Sequence, residues 1–464
     1  MNSEIANSET RTKIMATLGP SSDVLELARE GARAFRLNLS YNDIEWHTSM
    51  IEQVRESEDK LGLPLGVVAD LRGRKLRISS TEYEVVEGQT VVLESDTCPP
   101  SSGIHTSQKL TIDADIFEQL EEGAQLILGD GDVVLDVEEL SDTHASAQVV
   151  RGGRIKDNMG LRVVGVSLKL PPITKLDREY VRKLSKLVDY FGLSFVSSSR
   201  DMEELRKLSH VPIIAKIERR EAVENLREIV GCCDGVMVAR GDLGVELSLE
   251  KVPLIQKEVL RLSRALGKPG IVATQMLESM LHSPSPTRAE VADVANAILD
   301  GADTLMLSGE TAVGKYPTEA VRWMKKIISE TERFGKFEPI QEIEKSTVSS
   351  AISKAVYVLA SELNAGAIFT PTATGTTPKM VARFRPSQWI YALSQSEKTA
   401  RRLSIVWGVI PIKEDIGESL DELTDKVVEF IGKERKRKGT IVLTGGHPLG
   451  TPGTTNLIKV VVVN

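Results

Sequence analysis

Cysteine, aromatic side chains, long apolar runs and any excess of basic charge are all scarce in this 464-residue chain. Its three cysteines, Cys98, Cys232 and Cys233, are odd in number and form no Cys-X-X-Cys pair, which argues against a disulfide framework or a thiolate metal centre. Cys232 and Cys233 stand just before a strand-like run, and burial as small apolar side chains accounts for them. The N-terminus is polar and no run reaches membrane-spanning length, which predicts a cytoplasmic protein that engages no membrane. A net charge of -8 argues against a nucleic-acid surface. The one basic run, KERKRK at 433–438, closes a helical stretch, where cations complement the helix dipole.

What is present is a regular alternation of strand-like and helix-like segments. Strands are predicted at 12–20, 33–40, 64–71, 191–198, 212–218, 235–241, 270–275 and 304–310, with amphipathic helices between most of them. Eight βα units predict a (β/α)8 TIM barrel, in which chemistry gathers at the strand C-termini. The rhythm breaks over 74–169, where period-two stretches are punctuated by Gly-Asp-Gly and Gly-Gly. This predicts a small β-barrel domain inserted after the third barrel strand, placed to act as a lid. Residues 1–73 and 170–340 then form the TIM barrel, and 341–464 a separate C-terminal α/β domain with five strands.

Chemistry concentrates in IIAKIERREAV (213–223) and DGVMVARGDLGVEL (234–247). Side chains two apart on a strand share a face, so Lys216 and Glu218 point together, and Asp242 follows the next strand. Two carboxylates and an ammonium at strand ends suit a hard divalent cation beside an anionic oxygen, which suggests phosphoryl or enolate chemistry. Arg36, Asn38 and Ser40 share a face of strand two, a costly file inside a barrel unless it serves a polar site. Asp70, Thr274, Gln275, Ser308 and Glu310 close other strands at the same end.

TKIMATLGPSS, RLNLS, AKIE, VMVARGDLGVE, ATQMLESM and the long run PTRAEVADVANAILDGADTLMLSGETAVGKYPTEAV resemble the pyruvate kinase family over nearly the whole chain. The resemblance implies phosphoryl transfer from phosphoenolpyruvate to ADP, giving pyruvate and ATP in glycolysis. It implies Mg2+ (or Mn2+) on Glu218 and Asp242, and Lys216 neutralising charge on the transferring group. Arg36 would hold phosphoryl oxygens, the backbone at Gly241 and Asp242 together with Thr274 the substrate carboxylate, and Ser308 a water relay for the proton. Glu310 would support these groups rather than react. Asn38, Ser40, Asp70 and Leu71 match a monovalent-cation site, and Arg77, Lys156 and Asn38 match nucleotide contacts. A homotetramer is the expected assembly.

Three departures from the family pattern stand out. Lys75 replaces the glutamate of potassium-dependent members, which predicts catalysis without K+. Tyr41 replaces a histidine near the nucleotide, and Met159 a lysine that reaches its phosphates. In TPTATGTTPKMVARFRP (370–386), Thr372, Thr374, Gly375, Thr376 and Thr377 resemble the family's effector phosphate loop and predict a phosphorylated effector, a sugar phosphate or nucleoside monophosphate. Two competing readings are a ligand sensor that has lost efficient transfer and another phosphoenolpyruvate-using barrel enzyme such as a lyase.

Overall fold

In the computed structural model, residues 9–463 are described except 75, 96–108, 113, 115, 130, 158, 165–167, 169, 336, 338–339, 341–346, 418, 436–438 and 448–454, and side chains 432–435. Lys75, Cys98 and the end of the basic run therefore lie outside the described residues. The chain divides into two compact units, Met1–Arg72 with Lys175–Asn464, and Gly73–Thr174.

The first unit contains a closed parallel barrel of eight strands. They are β1 (Lys13–Thr17), β2 (Ala32–Asn38), β3 (Gly66–Asp70), β4 (Tyr190–Leu193), β5 (Ile213–Ile217), β6 (Gly235–Ala239), β7 (Gly270–Ala273) and β8 (Thr304–Leu307). Each pairs with its neighbour in sequence, and β8 closes on β1 through Lys13↔Thr304 to Ala16↔Leu307. These runs are rich in Val, Ile, Leu and Ala and buried on both faces, as a parallel sheet under helices requires. The predicted segments all become strands but end earlier than the sequence suggested. Ser40 lies in the turn beyond β2, and Asp242 sits in the first turn of helix α1 (Arg240–Glu246) rather than on β6. Two further helices matter below, α2 (Val252–Ala265) and α3 (Arg288–Leu299).

One inward layer fills the barrel: Met15, Ala34, Val68, Tyr190, Ile214, Met237, Ile271, Ala273 and Met306 pack together with Ile405 from the C-terminal part. Ile405 closes the floor. Stepping two residues along the strands from this layer reaches Arg36, Asp70, Lys216 and Ser308, so strand periodicity alone turns an apolar plug into a polar tier.

The C-terminal part is a five-stranded sheet of β9 (Ala367–Pro371), β10 (Ile390–Ser394), β11 (Val409–Lys413), β12 (Gly439–Gly446) and β13 (Thr455–Val463), ordered β11-β10-β9-β12-β13. Helices α4 (Thr376–Ala382), α5 (Glu397–Leu403) and α6 (Leu420–Arg435) connect the first four strands, as predicted. The final pair is an antiparallel hairpin.

The second unit is all-β: seven strands close into a barrel and a two-stranded ribbon accompanies them. Its core is aliphatic apart from Phe117, with Val91, Leu93, Leu110, Leu126, Leu135 and Ala147 among its buried residues.

Candidate active site

The polar tier is an ionic cluster held almost dry. Arg36 Nε and a terminal guanidinium nitrogen lie 2.7 and 2.6 Å from Asp70 Oδ2. Lys216 Nζ is 3.2 Å from the same oxygen and 2.8 Å from Glu218 Oε1. Gly192 makes room for this carboxylate, since a Cβ there would stand 2.8 Å from Asp70 Oδ1. Lys216 also donates to Ser194 Oγ at 2.8 Å, and Ser194 in turn donates to Leu71 O at 2.8 Å.

Electrostatics sort these groups. Burial works against the charge on Lys216, yet Asp70 and Glu218 outweigh it and hold the ammonium above the ordinary lysine value. Burial also opposes ionisation of Asp70, but Lys216 and Arg36 pull its carboxyl below the ordinary value. Glu218 goes the other way. Burial, with Asp242 adding like charge, raises it despite the neighbouring Lys216.

A divalent cation fits this donor set. Glu218 is fully buried, its Oε2 accepts from Phe195 N at 2.7 Å, and its Oε1 has no hydrogen bond of good geometry although Lys216 Nζ is close. A buried carboxylate oxygen without a well-aligned donor, under the field of a second carboxylate, is one that a hard cation would satisfy. Among the described residues no group of three or more His, Cys, Asp or Glu could hold a metal.

The opposite wall is built from β7 and α1. Thr274 and Gln275 both take left-handed backbone conformations, φ 66° and 55°, which is uncommon for a β-branched residue. Arg240 holds the turn in place. It donates to Thr274 O at 2.7 Å and Gln275 O at 3.0 Å, while gripping both oxygens of Asp293 on α3 at 2.8 and 2.7 Å. Thr274 Oγ1 accepts from Gly241 N at 3.0 Å, so the predicted pair does meet. Ser308 Oγ is buried with no hydrogen-bond partner among the described residues, and its backbone N–H donates to Glu310 Oε2 at 2.7 Å. Glu310 Oε1 accepts from Leu277 N at 3.0 Å, so this buried acid braces two strand ends.

Ser194, Arg240 and Asp293 were not singled out by sequence reasoning as parts of the site. A serine at a strand end is common, and the Arg240–Asp293 clasp joins residues 53 apart in sequence.

The pyruvate kinase barrel-domain model matches residues 9–321, and the pyruvate kinase alpha/beta-domain model matches residues 350–461. The chain belongs to the pyruvate kinase family. Pyruvate kinase of Thermotoga maritima is 41% identical over 476 residues, covering 98% of this chain and 99% of the relative. That of Geobacillus stearothermophilus is 39% identical, with 98% of this chain and 80% of the relative covered. A crystal structure of a pyruvate kinase from Cryptosporidium parvum superimposes with a TM-score of 0.85 at 29% identity, covering 100% of this chain and 99% of that one.

Other residues singled out from the pyruvate kinase pattern separate by surroundings. Asn38 Oδ1 accepts from Ser40 N at 3.2 Å, and Leu71 O accepts from Ser194, so two candidate monovalent-cation ligands are engaged within the chain. Tyr41 is exposed, with its carbonyl 2.9 Å from His47 Nε2. In the second unit Met159 packs against the β-barrel core, whereas Lys156 is exposed and Arg77 half-buried. In the threonine loop, Thr372 Oγ1 accepts from Gly375 N at 2.9 Å and Thr377 Oγ1 lies 2.7 Å from Thr455 Oγ1. Thr374 and Thr376 are exposed and face each other at 3.0 Å, which leaves these two hydroxyls outward. Gly375 has φ 80°, the left-handed geometry that starts α4.

Proposed function

We propose that this chain transfers the phosphoryl group of phosphoenolpyruvate to ADP and then protonates the enolate. The bond from the enol oxygen to phosphorus breaks, a bond from the ADP terminal oxygen to phosphorus forms, and a proton adds to the enolate carbon to give pyruvate. The observation that carries this reading is the buried Arg36–Asp70–Lys216–Glu218 cluster, in which two carboxylates and two cations meet at the strand ends and Glu218 Oε1 has no hydrogen bond of good geometry.

Glu218 and Asp242 would hold Mg2+ or Mn2+, which when bound supplies positive charge to the enolate and phosphoryl oxygens. Lys216, kept protonated by its neighbours, neutralises the charge that develops on the transferring group. Arg36 presents a rigid fork of donors to phosphoryl oxygens, and Asp70 fixes the fork's direction. Thr274 and the Gly241 N–H position the substrate carboxylate near the carbon that accepts the proton. The unpartnered Ser308 hydroxyl suits a relay of water to that carbon.

Lys75 supplies the monovalent charge, so K+ is not needed. Arg77, Lys156 and Asn38 contact the nucleotide. The outward hydroxyls of Thr374 and Thr376 receive a phosphorylated effector, a sugar phosphate or nucleoside monophosphate. The enzyme works in the cytoplasm, in glycolysis, as a homotetramer. Exposed Leu249 and Leu254 on one face and Val460 and Val462 on the edge strand β13 are apolar surface of the kind an assembly covers. No described helix is long and apolar enough to cross a membrane.

Pyruvate formation from phosphoenolpyruvate, with and without ADP, tests the reaction. ADP-dependent pyruvate is expected with Mg2+ present, with no rise on adding K+ to a Na+- and K+-free buffer. Lys216→Met should lose transfer while keeping its circular dichroism; near-normal activity would remove Lys216 from the mechanism.

A further inference from the structure

One buried titratable side chain close to β2 is not used by the chemistry described so far. His47 lies in the first turn of the helix Ile44–Leu61 and is fully buried. Its Nε2 is 2.9 Å from Tyr41 O. A carbonyl only accepts, so this contact fixes the tautomer: Nε2 carries the proton and Nδ1 the lone pair. Nδ1 is itself buried, with no hydrogen-bond partner among the described residues. The ring meets Trp46 edge-on at 5.2 Å between centroids, and Tyr180 of the helix Lys175–Leu184 edge-on at 6.1 Å. Burial outweighs the Tyr41 carbonyl and Asp43 and holds His47 below the ordinary histidine value, so the imidazole is neutral at neutral pH.

The carbonyl that His47 holds belongs to the loop between β2 and its own helix. Tyr41, Asn42 and Asp43 are exposed there, and Asn42 takes a left-handed φ of 62°. The inner end of the loop folds back on β2 and β3. Leu39 N donates to Asp70 O at 3.0 Å, Tyr41 N to Asn38 O at 3.2 Å and Ser40 N to Asn38 Oδ1 at 3.2 Å. These bonds decide what Asn38 can offer. With its Oδ1 accepting from the chain, the amide NH2 is the part left to meet a substrate, and two N–H donors suit an anionic oxygen. That assignment of the amide depends on the turn, and the turn depends on where Tyr41 stands.

We propose that His47 is a positioning residue for the nucleotide: by donating to Tyr41 O it locks the turn after β2, and through Ser40 N it sets the Asn38 amide with its NH2 available to the phosphate oxygens of ADP. This role rests on Asn38 meeting the nucleotide, as proposed above. His47 touches no substrate itself. It acts from behind the loop, as a buried neutral donor whose direction is fixed by the packed aromatic rings.

Steady-state kinetics of two variants of similar size tests the assignment. His47→Gln keeps an N–H donor in the region of Nε2, and His47→Met keeps the volume without the donor. His47→Met should raise the KM for ADP about three- to tenfold, the range one neutral hydrogen bond gives, with the KM for phosphoenolpyruvate and kcat within about twofold of the parent. His47→Gln should stay within about twofold of the parent in all three. Asn38→Ala should also raise the KM for ADP, and adding His47→Met to it should raise it little further, because both act through one amide. An unchanged KM for ADP in Asn38→Ala would remove Asn38 from the nucleotide site and this role with it. A rise in Asn38→Ala with none in His47→Met, an equal rise in His47→Gln and His47→Met, or full additivity would overturn the role of His47 alone. The parent offers a readout that needs no substitution to fold. Nitrogen-15 shifts of the histidine-labelled full chain should show His47 protonated at Nε2 only; a ring protonated at Nδ1 instead, or an imidazolium at neutral pH, would equally overturn it.

Discussion

Lys216 gathers three oxygens, those of Asp70, Glu218 and Ser194, and each sets a different property of the ammonium. Asp70 holds its charge, Glu218 links it to the proposed cation site, and Ser194 aims it. Ser194→Ala removes one hydrogen bond to a charged group, a loss of about 1.5–3 kcal/mol by the usual range. The expected result is a lower kcat with little change in the KM for phosphoenolpyruvate, measured in steady state. Asp70→Asn is harsher, since it leaves Arg36 and Lys216 buried without their shared anion; breaking such a pair costs about 3–5 kcal/mol, and Tm should fall accordingly. At this scale much was legible. Lys216 and Glu218 share a face by strand period, and Arg36 and Asn38 of the file read on strand two follow the same rule, Ser40 lying beyond the strand. Ser194 and the Phe195 N–H on Glu218 were not, because the link depends on Phe195 turning left-handed at φ 54°, which no pattern of residue types announces.

The end of β7 and the start of α1 form the element that most needs bracing. Two consecutive non-glycine residues with positive φ store strain of about 1–3 kcal/mol each, and surrounding contacts must outweigh it. Arg240 is the principal brace, reaching two carbonyls and both oxygens of Asp293 at once. A lysine keeps the charge but not the planar fork. Arg240→Lys should therefore lower kcat at least tenfold and raise the KM for phosphoenolpyruvate, while Mg2+ affinity, measured by titration, changes little because Glu218 is untouched. The sequence placed the strands correctly but ran several of them one to three residues too far. Apolar periodicity shows where a strand passes through the core, and it does not show where the backbone leaves the sheet to turn. The functional groups Ser40, Thr274 and Glu310 sit in that overrun, and Asp242 lies one residue past it.

Across the whole molecule, buried charge also anchors the barrel floor. Glu9 lies between Arg33, at 2.5 Å, and Lys13, at 3.7 Å. Burial opposes its ionisation, but the two cations prevail and hold Glu9 below the ordinary glutamate value. Lys13 is lowered too, because burial and the neighbouring Arg33 outweigh its share of Glu9. Two cations divide one carboxylate, so the favoured charge is that on Glu9. With its folded pKa below the unfolded one, Glu9 contributes stability above the ordinary glutamate pKa and loses it as pH falls through the depressed value. Glu9→Gln should consequently lower Tm at pH 7, and the gap from the parent should shrink steadily as pH drops below about 4.5, the unfolded glutamate range. A constant gap across pH would show that Glu9 acts by packing alone. The small β-barrel was legible from the change of rhythm at the inserted β stretch. The joint between barrel and C-terminal sheet was not, since it is made by residues far apart in sequence.

Ile405 sits in the same apolar layer as Met15 and Met306, although β8 ends at Leu307. During synthesis, then, all eight strands can leave the ribosome while the barrel still has an open floor. At the usual 5–20 residues per second, the roughly hundred residues that separate β8 from Ile405 take about 5–20 s to make. For that interval the nascent barrel presents an unplugged apolar mouth, a window in which a chaperone or a neighbouring chain can reach it before the protein's own tail does.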